Sequence, residues 1–121
     1  MSSATTTYSM ILGSLMAQQW EERGLKQQDF FAKSGIATGT WSRIMRGQAH
    51  FQIEDIRTAC RALGCKVAEL TAKADEIEVK LEHEEDVTVA SKAELQEKGS
   101  ALPAIIAAAA LGFLLYRLLK Q

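Results

Sequence analysis

Cysteine and histidine are scarce in this chain of 121 residues, with two of each. Cys60 and Cys65 have no further ligands at metal-binding spacing, and both stand where a small apolar residue would pack. His50 and His83 have no neighbours suited to acid–base catalysis, and no glycine-rich, phosphate-cradling loop is present. We therefore expect a protein that is not an enzyme and that uses neither a metal nor a cofactor.

The amino terminus also lacks the charged stretch and the following apolar run of a secretory signal. Its first residues, MSSATTTYS, are small and polar, and they offer little apolar surface to offset the entropy lost on ordering. We expect residues 1–8 to be disordered. The folded domain should begin near Ser9 and stay in the cytoplasm.

The net charge of -1 is unevenly distributed along the chain. Residues 9–74 carry nine Lys/Arg and six Asp/Glu, a net charge of +3. Residues 75–98 carry three Lys/Arg and nine Asp/Glu, and residues 99–121 carry two cations and no acid. The basic part suits a polyanionic partner, and the acidic part is typical of a solvated linker.

Apolar residues at helical spacing, separated by glycines, predict five helices between residues 9 and 74. Glycine readily adopts the left-handed conformation that closes a helix, so the four glycines mark the ends of the first four helices. These glycines are Gly24, Gly35, Gly47 and Gly64. The apolar stripes are Leu12, Leu15, Met16 and Trp20; Ile36, Trp41 and Ile44; Ile53, Ile56, Cys60 and Leu63; and Val67 with Leu70.

The stretch from Lys26 to Gly47, KQQDFFAKSGIATGTWSRIMRG, has the spacing of two short helices joined by a tight turn. The face of its second helix that is not apolar carries Thr38, Thr40, Arg43 and Arg46. Hydroxyl and guanidinium groups on one face suit a helix in the DNA major groove, where arginine reads guanine and contacts phosphates. The pattern therefore predicts a helix-turn-helix.

Residues 9–74 resemble the Xre family, the lambda repressor and Cro type of five-helix regulator. The matching pieces are GLKQQDF, SGIATGTWSRIMRG and IEDIRTACRALGCKVAEL. The resemblance implies binding to double-stranded DNA, as a homodimer because one short helix reads too few bases. It implies that Gln27 binds phosphate and braces the recognition helix. The full set of expected DNA-contacting residues is Gln27, Gln28, Thr38, Gly39, Thr40, Arg43, Arg46 and His50.

The sequence departs from the family pattern at the turn. Ala37 stands where the family has a Ser or Thr N-cap, so either the cap is lost or Thr38 caps a helix that starts one residue later. Phe31 replaces a small alanine and Ser34 an apolar residue, so the contact between the two helices must be repacked.

A second departure from the family pattern concerns the contact between the first and third helices. Trp20 and Met45 stand where many family members pair an Arg with a Glu across the first and third helices. An apolar contact can replace a buried ion pair without loss of stability. We therefore expect Trp20 to pack against Met45.

The acidic segment 75–98 allows two interpretations of its first part. Val67, Leu70, Ala74, Ile77 and Leu81 keep a spacing that would extend the fifth helix as a coiled-coil seam. The alternation of residues 77, 79 and 81, and of residues 87 and 89, instead favours a short strand pair around HEED. We favour the strand pair. Ser91 and Glu94 have capping-box spacing, which predicts a short helix over residues 92–98.

The tail, residues 99–121, is apolar and has no charge from Ala101 to Tyr116. A helix over residues 101–119 would be roughly 28 Å long and just long enough to span a membrane, with Pro103 in its first turn. Ala104, Ala108 and Gly112 would form a small-residue stripe for helix pairing. The alternative is a soluble helix that drives oligomerisation.

These observations predict an all-α chain: a helix-turn-helix domain, an acidic linker and a carboxy-terminal helix. The leading hypothesis is a DNA-binding transcriptional regulator tethered to the inner membrane by its tail. One alternative is a membrane-anchored adaptor similar to the cell-shape protein RodZ, whose comparable domain binds a protein. Another is a soluble regulator whose tail assembles copies.

Overall fold

The computed structural model describes residues 4–98 and 101–120 of the chain. Residues 1–3, 99–100 and 121 lie outside the described residues, including the first part of the segment expected to be disordered. The elements are, in order, β1 (Ala4–Thr7), α1 (Tyr8–Glu22), α2 (Gln27–Ser34), α3 (Thr38–Met45), α4 (Ile53–Leu63), α5 (Val67–Glu84), β2 (Val87–Ala90), α6 (Lys92–Lys98) and α7 (Ala108–Leu119).

The five helices predicted between residues 9 and 74 are confirmed as α1–α5. Their core is built on α1, in which every residue from Ser9 to Met16 is buried. Helices α3, α4, α5 and α7 all contact this central helix. Because α1 is covered on so many sides, its burial does not follow the single stripe expected of a surface helix.

The expected disorder of residues 1–8 is corrected over the described part of that segment. Thr5, Thr6 and Thr7 are at most 1% exposed, and β1 pairs in parallel with β2, Ala4 opposite Val87. The Thr7 hydroxyl also caps α1 by accepting a hydrogen bond from the Met10 N–H at 3.0 Å. Backbone pairing with a distant strand and a helix cap therefore order a segment that has little apolar surface of its own.

The strand pair predicted within residues 75–98 is wrong, because its first part is helical and its second part is a strand that pairs elsewhere. Helix α5 continues to Glu84, with Leu70, Ala74, Ile77 and Leu81 buried and Val79 56% exposed. The helical spacing was therefore the correct interpretation, although the buried stripe faces α1 within the chain. Only residues 87–90 form a strand, and its partner is β1.

The short helix predicted over residues 92–98 is confirmed as α6. Its capping box is complete, because the Ser91 N–H donates to Glu94 Oε1 and the Glu94 N–H donates to Ser91 Oγ, both at 3.1 Å. Hydrogen bonds from the backbone and the side chain of Ser91 to the Glu94 carboxyl lower the pKa of that carboxyl.

The predicted tail helix over residues 101–119 is corrected to a shorter one. Helix α7 begins only at Ala108, and Leu111, Leu115 and Leu118 are at most 1% exposed in the core beside α1. Before it, the chain is extended along β1: the Thr5 N–H donates to the Ala104 carbonyl at 2.9 Å. Within residues 4–98 and 101–120, no helix is long and apolar enough to cross a membrane.

Candidate nucleic-acid interface

The turn between α2 and α3 is held by glycine and a buried serine. Gly35 has a φ of 74°, and its N–H donates to the Phe31 carbonyl at 3.0 Å, which closes α2 as predicted. Ser34 is 5% exposed, and its hydroxyl accepts a hydrogen bond from the Ile36 N–H at 3.3 Å. Ser34 thus satisfies a backbone donor inside the turn, which explains how a polar residue occupies an apolar position.

The starts of α2 and α3 both lack a side-chain cap. Ala37 is the N-cap of α3 and Lys26 that of α2, and neither makes a capping hydrogen bond from its side chain. Thr38 is already the first residue of α3, so of the two alternatives for this position the cap is lost. The first N–H groups of two neighbouring helices are therefore left to other acceptors.

These two helix starts border one open groove with a volume of about 670 Å³. It is lined by Lys26, Gln27, Gln28, Phe31 and Thr38. A cation, two amides and two uncapped helix starts converge there, and this combination of donors suits a phosphate group.

The guanidinium groups of α3 lie along its exposed face. Arg43 Nη2 donates to Thr40 Oγ1 at 3.3 Å, and Arg46 Nε donates to the Ser42 carbonyl at 3.3 Å. Neither arginine forms an ion pair with a described residue, whereas Arg57 on α4 lies 3.6 Å from Glu54. Both guanidinium groups therefore remain available to an external anion or base.

The structure brings most of the predicted site residues to this surface. All are exposed except Thr40 and His50, which are partly buried. Gln27 and Thr38 also line a second groove of about 620 Å³ together with Arg46. Gly39 lies beside Arg43, whose Nη1 is 3.8 Å from the position a Cβ would take. His50, in the loop after α3, lines neither groove.

An aromatic cluster packs α3 against the rest of the domain. Its members are Trp20, Phe30, Phe31, Trp41 and Phe51. Trp41 belongs to α3, and its ring centroid lies 5.4 Å from those of Trp20 and Phe31 and 5.8 Å from that of Phe51. The rings pack tilted or edge to face, which is the favoured geometry. The large Phe31 ring of α2 packs edge to face on Trp41 of α3, so the contact between these two helices is repacked around aromatic rings.

Trp20 and Met45 line the same cleft. Met45 Sδ lies close to Gly13 of α1, where an added Cβ would be only 2.5 Å from the sulfur. Trp20 packs instead on Phe30, with ring centroids 4.7 Å apart. Direct packing of Trp20 on Met45 stays a prediction, and the close approach of α3 to α1 takes place at Gly13.

Sequence reasoning missed three contributions to this surface. Lys26 and Ser42 line the grooves, and the basic residue directly before Gln27 was a usable signal. Residues 105–108 form one wall of the second groove. Ile105 packs against Gly47, where φ is 77° and an added Cβ would lie 3.2 Å from Ile105 Cδ1. No local signal could have placed a tail residue beside α3.

Comparison with known proteins gives one match. The family model of a helix-turn-helix domain matches residues 11–72, which include α2 and α3 and their turn. No curated protein and no solved structure shows a significant match to the chain.

Proposed function

The chain belongs to the helix-turn-helix family, in the Xre and lambda-repressor group, and on that premise we propose that it is a sequence-specific, DNA-binding transcriptional regulator. The observation that carries the proposal is the exposed surface formed by α3 and the start of α2. It combines two helix starts that lack a side-chain cap with two guanidinium groups that form no ion pair with a described residue. Such a surface can take phosphates and base edges together.

The residues divide by role. Arg43 lies along the exposed face of α3 beside Thr40 and would read a guanine in the major groove. Gln27 lies at the first turn of α2 and would hold a phosphate with the nearby N–H groups. Arg46, Gln28 and Lys26 would add phosphate contacts, which set affinity without selecting sequence.

We further propose that the regulator acts in the cytoplasm as a homodimer, because a single recognition helix of eight residues reads too few bases. The membrane tether is not retained in this proposal. The leucines that would have faced lipid are buried against the domain, and they contribute to its stability instead.

Replacing Arg43 by alanine should relax base preference at one position of the binding site, at a cost of about 1 to 3 kcal/mol in binding free energy. Gln27→Ala should weaken binding to all sequences by a similar factor, because a phosphate contact carries no sequence information. The measurement is the affinity of the full chain for DNA selected from a random pool and for scrambled DNA, at matched salt.

Arg57→Ala is the control, since it removes the same charge from an exposed arginine of α4 that is paired with Glu54. It should leave base preference unchanged. If the intact chain binds no DNA at low salt, the regulator proposal fails and a protein-binding adaptor takes its place.

A further inference from the structure

An apolar cleft lies among α1, α3 and α7, beside the contact between α7 and α1. Its volume is about 910 Å³, and Trp20, Trp41, Met45, Gly112 and Tyr116 are among its lining residues. Gly112 borders this open space, because a Cβ added there would meet no atom within 4 Å. Ala108 and Gly112, two members of the small-residue stripe, thus border an empty space in the chain itself.

Helix α7 also exposes three large apolar side chains. Phe113 is 68% exposed, Tyr116 52% and Leu119 38%, and the last two also line the cleft. Phe113, next to Gly112, points an aromatic ring into solvent. The chain therefore presents both an aromatic projection and an apolar hollow, side by side, on one helix.

Charge at the edges of the cleft is also complementary between copies. The cleft is lined by side chains of both signs, Glu21 and Glu22 of α1, Lys73 of α5 and Lys120 of α7. In a two-fold arrangement the glutamates of one copy can pair with the lysines of the other.

We propose that the cleft receives α7 of a second copy, with Phe113 of each chain inserted beside Gly112 of the other. A small molecule in the cleft would leave Phe113 in water, whereas a second copy covers the ring and fills the hollow. A buried aromatic anchor in a pocket is the usual centre of such an interface. The inference names the surface of the proposed regulator's dimer, and only the use of that dimer in DNA reading rests on the proposed function.

The test is sedimentation equilibrium of the full chain without DNA, over a wide concentration range. The wild-type chain should dimerise. Phe113→Ser, which removes the projection, and Gly112→Leu, which fills the hollow, should each raise the dimer dissociation constant on the order of 30-fold. Lys120→Glu, which replaces a basic residue of the cleft by an acidic one, should also weaken association.

Val79→Ser is the matched control, because Val79 is 56% exposed on α5 and does not line the cleft. It should leave the dissociation constant unchanged, and unchanged thermal melting of the Phe113 and Gly112 variants would show that they fold.

A wild-type chain that stays monomeric, or a dimer insensitive to both cleft variants, overturns the proposal. A monomer that binds an apolar dye in the cleft, with binding lost in Gly112→Leu, overturns it in favour of a small-molecule site. Because no DNA is present, failure here is distinct from failure of the regulator proposal. That proposal fails only if the chain also binds no DNA.

Discussion

A chain that ends at Lys98 is expected to lose its cooperative fold. The truncation removes Leu111, Leu115 and Leu118, each at most 1% exposed, and uncovers the side of α1 that they pack against. Loss of one buried leucine side chain costs about 2 to 5 kcal/mol, so three cost about 6 to 15 kcal/mol. That range equals the whole stability of an ordinary domain, about 5 to 15 kcal/mol. Thermal melting followed by circular dichroism measures the effect.

Two full-length variants test whether the buried side chains of α7, and not merely the presence of the tail, stabilise the domain. Leu115→Asp places a charge at a fully buried position of α7 and should destabilise almost as much as the truncation. Phe113→Ser changes an exposed position of the same helix and should leave the melting temperature of the monomer nearly unchanged. A truncated chain with the melting temperature of the full chain would show that α7 does not stabilise the domain.

Replacing Trp20 by alanine is expected to cost about 3 to 5 kcal/mol in the free energy of unfolding. Trp20 is 8% exposed and its ring packs against Phe30, Phe31 and Trp41, so the substitution opens a cavity under α3. Loss of order in α3 should weaken DNA binding in parallel. Urea denaturation of the full chain gives the free energy, with the slope checked for two-state behaviour.

Ile53→Ala is the control for this variant. Ile53 is also a large apolar residue, but it is 62% exposed at the start of α4, so its truncation should change stability by no more than about 0.5 kcal/mol. A loss below about 1 kcal/mol for Trp20→Ala would contradict the role given to the aromatic cluster, because a collapsed cavity costs more than that.

The parts of this fold that could be predicted are those with local signals. Helices α1–α5 follow from apolar spacing, and Gly35 and Gly64 end two of them with positive φ. The capping box of Ser91 and Glu94 needs only four residues to form, and it is present. The position of the candidate site followed from the same local signals, because α2, the turn and α3 are consecutive.

The failures concern contacts between residues distant in sequence. The segment from Ile77 to Leu81 fits both a helix and a strand, and only the exposure of Val79 and the burial of the other two distinguish them. The apolar tail offered a similar ambiguity, since a leucine stripe has the same composition whether it faces lipid or a protein core. The N-terminal threonines carry no apolar signal at all, and their order comes from partners far along the chain.

Strand β1 has consequences for how the chain folds during synthesis. Its partner β2 is made about 80 residues later, and the segment at Ala104 that bonds its other edge later still. Until then the N–H and carbonyl groups of Thr5 have only water as partners, and α1 emerges with part of its apolar surface uncovered. The nascent helix-turn-helix domain therefore lacks the partner of its first strand and part of the packing around α1. Burial of α1 should be complete only once Leu118 has emerged from the ribosome, and until then the apolar surface that α7 covers stays within reach of chaperones.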